Sequence, residues 1–240
     1  MAHPLLASLL DLLFPPRCAG CGQSGAWLCP ACLAEVSWIR PPICPLCGEG
    51  LTRQGRCPRR EHHPEMLDGL RSAAWHAGPL RSALHSLKYR GQRILAGPVG
   101  MLLVEAWNRE PFPADLVIPV PLYPQRLRER GYNQAALIAR ALCAATGLPL
   151  DERSLRRIRQ TPPQVDLRAA ERRQNVRGAF SYAGPPLEGR AICLIDDICT
   201  TGATLEACAT ALREAGAARV WAYTVARPRF HPAPPPGSDR

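Results

Sequence analysis

The stretch Ala191–Ala207, AICLIDDICTTGATLEA, decides the fold. Four apolar residues, Ile192 to Ile195, run into two adjacent carboxylates, Asp196 and Asp197. A Thr/Gly loop, Thr200 to Thr204, follows, and then a helical pattern. A short unbroken apolar run reads as a strand covered on both faces, as in a parallel sheet. Ligands bind at the carboxyl ends of such strands. Two neighbouring carboxylates there suit a diol, because each accepts hydrogen bonds from sugar hydroxyls, and they also draw a divalent cation. Gly202 lets the backbone close round an anion, and Thr hydroxyls and N–H groups at the helix N-terminus make a phosphate cradle. One half of the stretch therefore wants a ribose and the other its 5′-phosphate. A helix capped by Thr200 or Thr201 would account for the loop, but it leaves the acidic pair unexplained.

The flanking sequence repeats the same architecture. MLDGLRSAAWHAG reads as one or two strands, and PLRSALHSLKYRG and ILAGPVGMLLVEAWNRE read as helices. DLVIPVP is a short strand stopped by Pro119 and Pro121, and GYNQAALIARALCAATG is a helix closed by Gly147. SLRRIR and GAFSYAG are strand-like. The decisive stretch gives strand Ala191–Ile195 and helix Ala203–Ala215, with strand Val220–Ala226 after them. Strands alternating with helices of this length predict an α/β fold, a mostly parallel sheet with flanking helices. Residues 66–227 are assigned to it. The tail, 228–240, is too rich in proline to fold.

The N-terminal quarter is different. Seven of the chain's 11 cysteines lie between Cys18 and Cys57, and apolar periodicity is weak there. Cys18-x2-Cys21-x7-Cys29-x2-Cys32 has zinc-ribbon spacing: two tight knuckles aim four thiolates at one tetrahedral point. Such a site has no open position, so its Zn²⁺ is structural and supplies the folding energy a thin core lacks. Cys44, Cys47 and Cys57 offer three ligands for a second Zn²⁺. Arg60 stands where a fourth cysteine would fall, leaving His62 or His63 to complete the site, or the site empty. Interleaved pairing of Cys18/Cys21 with Cys44/Cys47 is an open alternative. Residues 18–65 form this module, and residues 1–17 read as a short amphipathic helix. Cys143, Cys193 and Cys208 read as small core hydrophobes, whereas Cys199, in the loop, is expected at the surface.

Charge narrows the partners. The formal net charge is +10, and Lys88 is the sole lysine among 30 basic residues. Between Arg153 and Arg177 stand eight arginines against Asp166 and Glu171. This excess favours an anionic partner, a phosphorylated metabolite or nucleic acid. No apolar run is long enough to span a bilayer. No basic n-region marks the N-terminus for export, so a reducing, cytoplasmic setting is expected, and the cysteines are not read as a disulfide framework. At the end of its helix, Lys88-Tyr89-Arg90-Gly91 reads as a plain helix C-cap.

ICLIDDICTTGAT resembles the phosphoribosyl-pyrophosphate (PRPP) signature of type I phosphoribosyltransferases. Together with FPPRCAGCG, LCPACL, CPLCG, LKYRG, VIPVPLYPQRLRERGYNQA and RQTPPQVDL…RRQNVRGAF, it is similar to the ComF (competence protein F/GntX) family over residues 8 to 227. The resemblance implies a double zinc ribbon fused to a phosphoribosyltransferase-like domain, with a role in DNA uptake, natural transformation or the use of DNA as nutrient. It implies that Asp196 and Asp197 hold the ribose 2′ and 3′ hydroxyls of Mg²⁺-bound PRPP. Thr200, Thr201, Gly202, Ala203 and Thr204 would wrap the 5′-phosphate. Val120, Pro121 and Leu122 would take the pyrophosphate, with Arg126 in reach. Arg159–Asn175 would be a flexible hood, with Arg159, Thr161, Gln164, Arg172, Arg173 and Asn175 as its candidates for ligand or DNA. Three functions fit: transfer of phosphoribose to an unnamed acceptor, a single-stranded DNA adaptor among other uptake proteins, and a PRPP-sensing regulator.

Overall fold

The computed structural model describes residues 15–59, 64–160 and 176–229. The expected helix over residues 1–17 and the tail lie almost wholly outside these residues. Among the described residues the elements are α1 (Pro30–Ala34), β1 (Gly69–Trp75), α2 (Gly78–Tyr89), α3 (Ala96–Arg109), β2 (Leu116–Pro119), α4 (Pro124–Arg130), α5 (Gln134–Thr146), β3 (Leu155–Arg157), β4 (Phe180–Tyr182), β5 (Ala191–Ile198), α6 (Ala203–Glu214) and β6 (Arg219–Arg227). A four-stranded sheet runs in the order β1-β6-β5-β2, all parallel. β3 and β4 pair antiparallel as a separate two-stranded piece.

β5 lies between β6 and β2 and is covered on both faces. Alternation along it sorts its residues. Cys193 and Ile195 join a core with Leu84, Leu103, Ile138 and Val225, under α2, α3 and α5. Ile192 and Leu194 join a second core with Leu205, Leu212, Val220 and Phe180, under α6 and the β3–β4 pair. Helix α2 shows how pattern becomes packing: Leu80, Ala83, Leu84 and Leu87, at helical spacing, are its buried face.

The first zinc-ribbon half packs with the first core, which includes Cys18, Leu28, Cys29, Cys32 and Val36. The chain then runs along the otherwise open edge of β1. Trp75 N–H donates to Ser37 O at 2.8 Å, and Ile39 N–H to Ala73 O at 3.0 Å. A covered edge cannot template pairing with another chain.

The structure alters two expectations. The strand does not stop before the aspartates; it pairs with β6 as far as Ile198 opposite Ala226, so both carboxylates project from paired strand. Cys199 is not at the surface. Its N–H is held by Ala226 O at 2.9 Å, and its side chain is buried in the second core. Cys193 and Cys208 are buried as expected, and Cys143 is half-buried. No helix among the described residues is long and apolar enough to cross a membrane.

Candidate ligand cleft and zinc centres

The carboxyl end of β5 opens into a cleft of about 1090 Å³. Asp196 and Asp197 lie in its wall with Thr200 to Thr204, Val120 to Leu122, Arg126 and Lys88. The structure thus brings the sequence-derived ribose, phosphate and pyrophosphate candidates to one cavity. Val120 is set there by its N–H bond to Ile195 O at 2.9 Å and by Asn133 Nδ2, which donates to Val120 O at 3.0 Å. Asn133 also caps α5, accepting from Ala135 N–H at 3.0 Å. The loop that follows β5 turns at Gly202, whose φ of +85° is a left-handed conformation that favours glycine. Thr201 Oγ1 accepts from Ala203 N–H at 3.3 Å, so part of the helix-cap reading holds as well.

The two carboxylates differ because neighbours on a strand face opposite ways. Asp197 is 2% exposed. Lys88 Nζ lies 2.9 Å from its Oδ2 and donates to Oδ1 at 3.2 Å. Burial opposes its charge, but the Lys88 ammonium outweighs this and holds the carboxyl below its usual range. Lys88 is held above its usual range in turn: burial pulls it down, and Asp197 and Asp196 more than compensate. Asp196 looks to the other side, half-buried, and accepts from Asp197 N–H at 2.8 Å. Burial first, and then the charge of Asp197, push its carboxyl well above the usual range.

Lys88 is the cleft side chain that the sequence reading gives only as a plain helix end. Arg90 is the C-cap of α2 and Gly91 takes φ +67°, as a plain helix end would. Lys88 itself crosses the cleft to Asp197, and Tyr132 Oη bonds Leu87 O to fix the helix end. The available signal was its uniqueness, one lysine in an arginine-rich chain. A compact ammonium serves a buried point contact that a guanidinium fork does not.

Near the cleft mouth, Tyr89 is 60% exposed. Its ring lies 5.0 Å from His85, and the Arg130 guanidinium is 5.8 Å from its centroid. Arg157 reaches the cleft from β3 over Phe180. Arg159 closes the base of the Arg-rich segment, donating to Arg177 O at 2.6 Å. Thr161, Gln164, Arg172, Arg173 and Asn175 lie outside the described residues.

The cysteines gather in sequence order rather than interleaved. Sγ atoms of Cys18, Cys21, Cys29 and Cys32 lie within 4.8 Å of one another, and those of Cys44, Cys47 and Cys57 form a second set. Cys29 and Gly20 N–H groups point at Cys18 Sγ, at 3.3 and 3.4 Å. Burial resists charge on this sulfur, but the N–H donors outweigh it and bring the thiol to about 6. Four converging sulfurs, one stabilised as thiolate, fit a tetrahedral Zn²⁺. The second set supplies three ligands among the described residues; His62 and His63 lie outside them.

Fold and site together define a double zinc ribbon joined to a phosphoribosyltransferase domain. Family models agree: the double zinc ribbon domain matches residues 9–60 and the phosphoribosyl transferase domain residues 126–236. The chain is 30% identical to DNA utilization protein YhgH of Escherichia coli O157:H7, covering 85% of this chain and 92% of the relative. It is 30% identical to competence protein F of Haemophilus influenzae, over 83% and 90%. Competence protein ComFC of Bacillus subtilis is 29% identical, over 83% and 84%. The chain belongs to this competence protein F and DNA utilization family.

Proposed function

We propose that the cleft binds PRPP and that the protein transfers its phosphoribosyl group to an acceptor within a DNA-uptake pathway. The observation that carries this is the convergence of Asp196, Asp197, the Thr200–Thr204 loop and Val120–Leu122 on one cavity at the end of β5. The loop takes the 5′-phosphate, and the carboxylates take the ribose hydroxyls. Lys88 keeps Asp197 ionised and fixed, so that the ribose meets a preorganised acceptor of hydrogen bonds. Val120 to Leu122 and Arg126 receive the pyrophosphate, with Mg²⁺ supplying charge neutralisation when it is bound. In the transfer, the C1–O bond breaks, its electron pair leaves with pyrophosphate, and the acceptor nucleophile bonds to C1. The transition state has oxocarbenium character, so negative charge beside the ribose matters more than a strong base. Cysteines gathered into metal-ligand clusters suit a reducing, cytoplasmic setting.

A second reading is a single-stranded DNA adaptor on the same fold. It is favoured by the exposed Tyr89 with His85 and Arg130 at the cleft mouth, because a ring and a guanidinium together stack bases without reading sequence. The test is pyrophosphate release from Mg²⁺–PRPP across a panel of nucleobases, amines and oligonucleotides. The proposal expects acceptor-dependent release that Asp196→Asn removes. DNA binding at low salt, displaced by PRPP and with no release for any acceptor, would favour the adaptor.

A further inference from the structure

The second ribbon half meets the sheet domain through a backbone bond, Leu70 N–H to Leu46 O at 2.8 Å, and through a cluster of buried charge. Arg227, at the end of β6, is 1% exposed, Glu49 3% and Arg59 9%. Arg227 Nη2 lies 3.3 Å from Glu49 Oε2, and Arg59 Nη1 lies 3.7 Å from the same oxygen. Arg227 also donates to the backbone O of Cys47. Arg59 Nη1 then reaches out of the ribbon and donates to Thr200 O at 3.3 Å, in the phosphate loop. Glu49 stands two residues after Cys47, and Arg59 two after Cys57. The cysteine knuckles therefore dictate where both side chains stand.

We propose that Glu49, Arg59 and Arg227 form a buried strap by which the second ribbon positions the phosphate loop. Taking three charges out of water is costly, and apolar packing would join two modules at less cost. What an ionic cluster adds is a directed donor at a fixed point. The loop bends through a left-handed glycine at Gly202, and a donor fixed on the Thr200 carbonyl holds the backbone just before that bend. Two guanidinium groups around one carboxylate also leave a net positive charge behind a loop built to receive an anion. Arg59 and Glu49 are thus positioning residues, acting on the ligand through the Thr200 backbone. The consequence for binding rests on the phosphate reading of the loop; the strap itself does not.

Hydrogen exchange on the full-length, ligand-free protein tests it, with wild type beside Arg59→Ala, Arg59→Met and, as a control, Arg53→Ala at an exposed site on the same ribbon. Arg59→Met keeps the apolar stem and removes the donors, which guards against a packing defect. Amides of residues 199–203 should exchange about tenfold faster in both Arg59 variants, the scale of one lost charge-assisted bond. Amides of residues 18–32 and the zinc content should stay as in wild type, and Arg53→Ala should change nothing. Calorimetry should then show Mg²⁺–PRPP binding weakened about tenfold. Unchanged loop exchange in Arg59→Met overturns the strap. Faster loop exchange in a protein whose wild type binds no PRPP upholds the strap and removes the ligand reading instead.

Discussion

The two sides of β5 use charge in opposite ways. On the α2 side, Asp197 is closed in, paired with Lys88 and held ionised. On the α6 side, Asp196 is half-buried at the cleft and resists ionisation. The residues are adjacent, yet the period of two along a strand gives each its own surroundings. One side is a fixed part of the core, continuous with the first zinc ribbon. The other borders the β3–β4 pair. A strand end can thus offer one permanent anion and one that a ligand must recruit.

The largest expected effect strikes the α2 side from a distance. Cys18→Ser with Cys29→Ser should release the zinc of the first ribbon. Because both sulfurs belong to the core that holds Ile195 and Leu84, the melting temperature should fall by about 10 °C or more. Metal analysis and calorimetry check this; zinc loss with unchanged melting would separate the ribbon from that side.

Next comes the ion pair. Lys88→Met leaves Asp197 buried without its cation and should cost about 3 kcal/mol at neutral pH. The pH dependence has a definite sign. Asp197 is depressed in the folded state, so its contribution is present above the ordinary aspartate range and fades as pH falls through the lowered value. Lys88 is raised, so its contribution is present below the ordinary lysine value and fades as pH rises through the raised one. Denaturant melts of wild type and variant should therefore differ most across the neutral range.

Asp196→Asn should do the reverse. A carboxyl raised in the folded state costs stability once pH exceeds its unfolded value. At pH 8 without ligand, the variant should be about 1 kcal/mol more stable than wild type, and the gain should vanish near pH 3. A destabilised Asp196→Asn would collapse the distinction between the two sides.

The smallest effect concerns the α6 side as a nucleic-acid surface. Arg156→Ala with Arg159→Ala removes two exposed guanidinium groups adjacent in sequence to Arg157 and Gln160, which line the cleft. If a single strand lies there, the slope of log affinity against log salt should flatten by about 0.7 for each phosphate that loses its guanidinium partner. An unchanged slope, read by fluorescence anisotropy, places the strand elsewhere.

Much of this was legible in the sequence because it rests on local chemistry. Apolar runs and helical periods marked the strands and helices, and paired CxxC spacing marked the ribbons. Asp-Asp followed by Thr-Thr-Gly announced the cleft. What escaped depends on long-range contact. Lys88 lies 109 positions from Asp197, and only the lie of α2 across the carboxyl edge brings them together. Arg59 lies 141 positions from Thr200, and its reach depends on how the second ribbon seats on β6. Cys199 is expected at the surface because it is placed in the loop, but β6 continues far enough to hold its N–H at Ala226 O.

Calorimetric titration of Mg²⁺–PRPP into wild type and the Asp196→Asn/Asp197→Asn double variant tests the central claim most directly. The account predicts one binding site per chain in wild type and loss of most of the binding in a double variant that still melts cooperatively and retains its zinc. Equal affinity in the two proteins, or no binding to wild type, would contradict it.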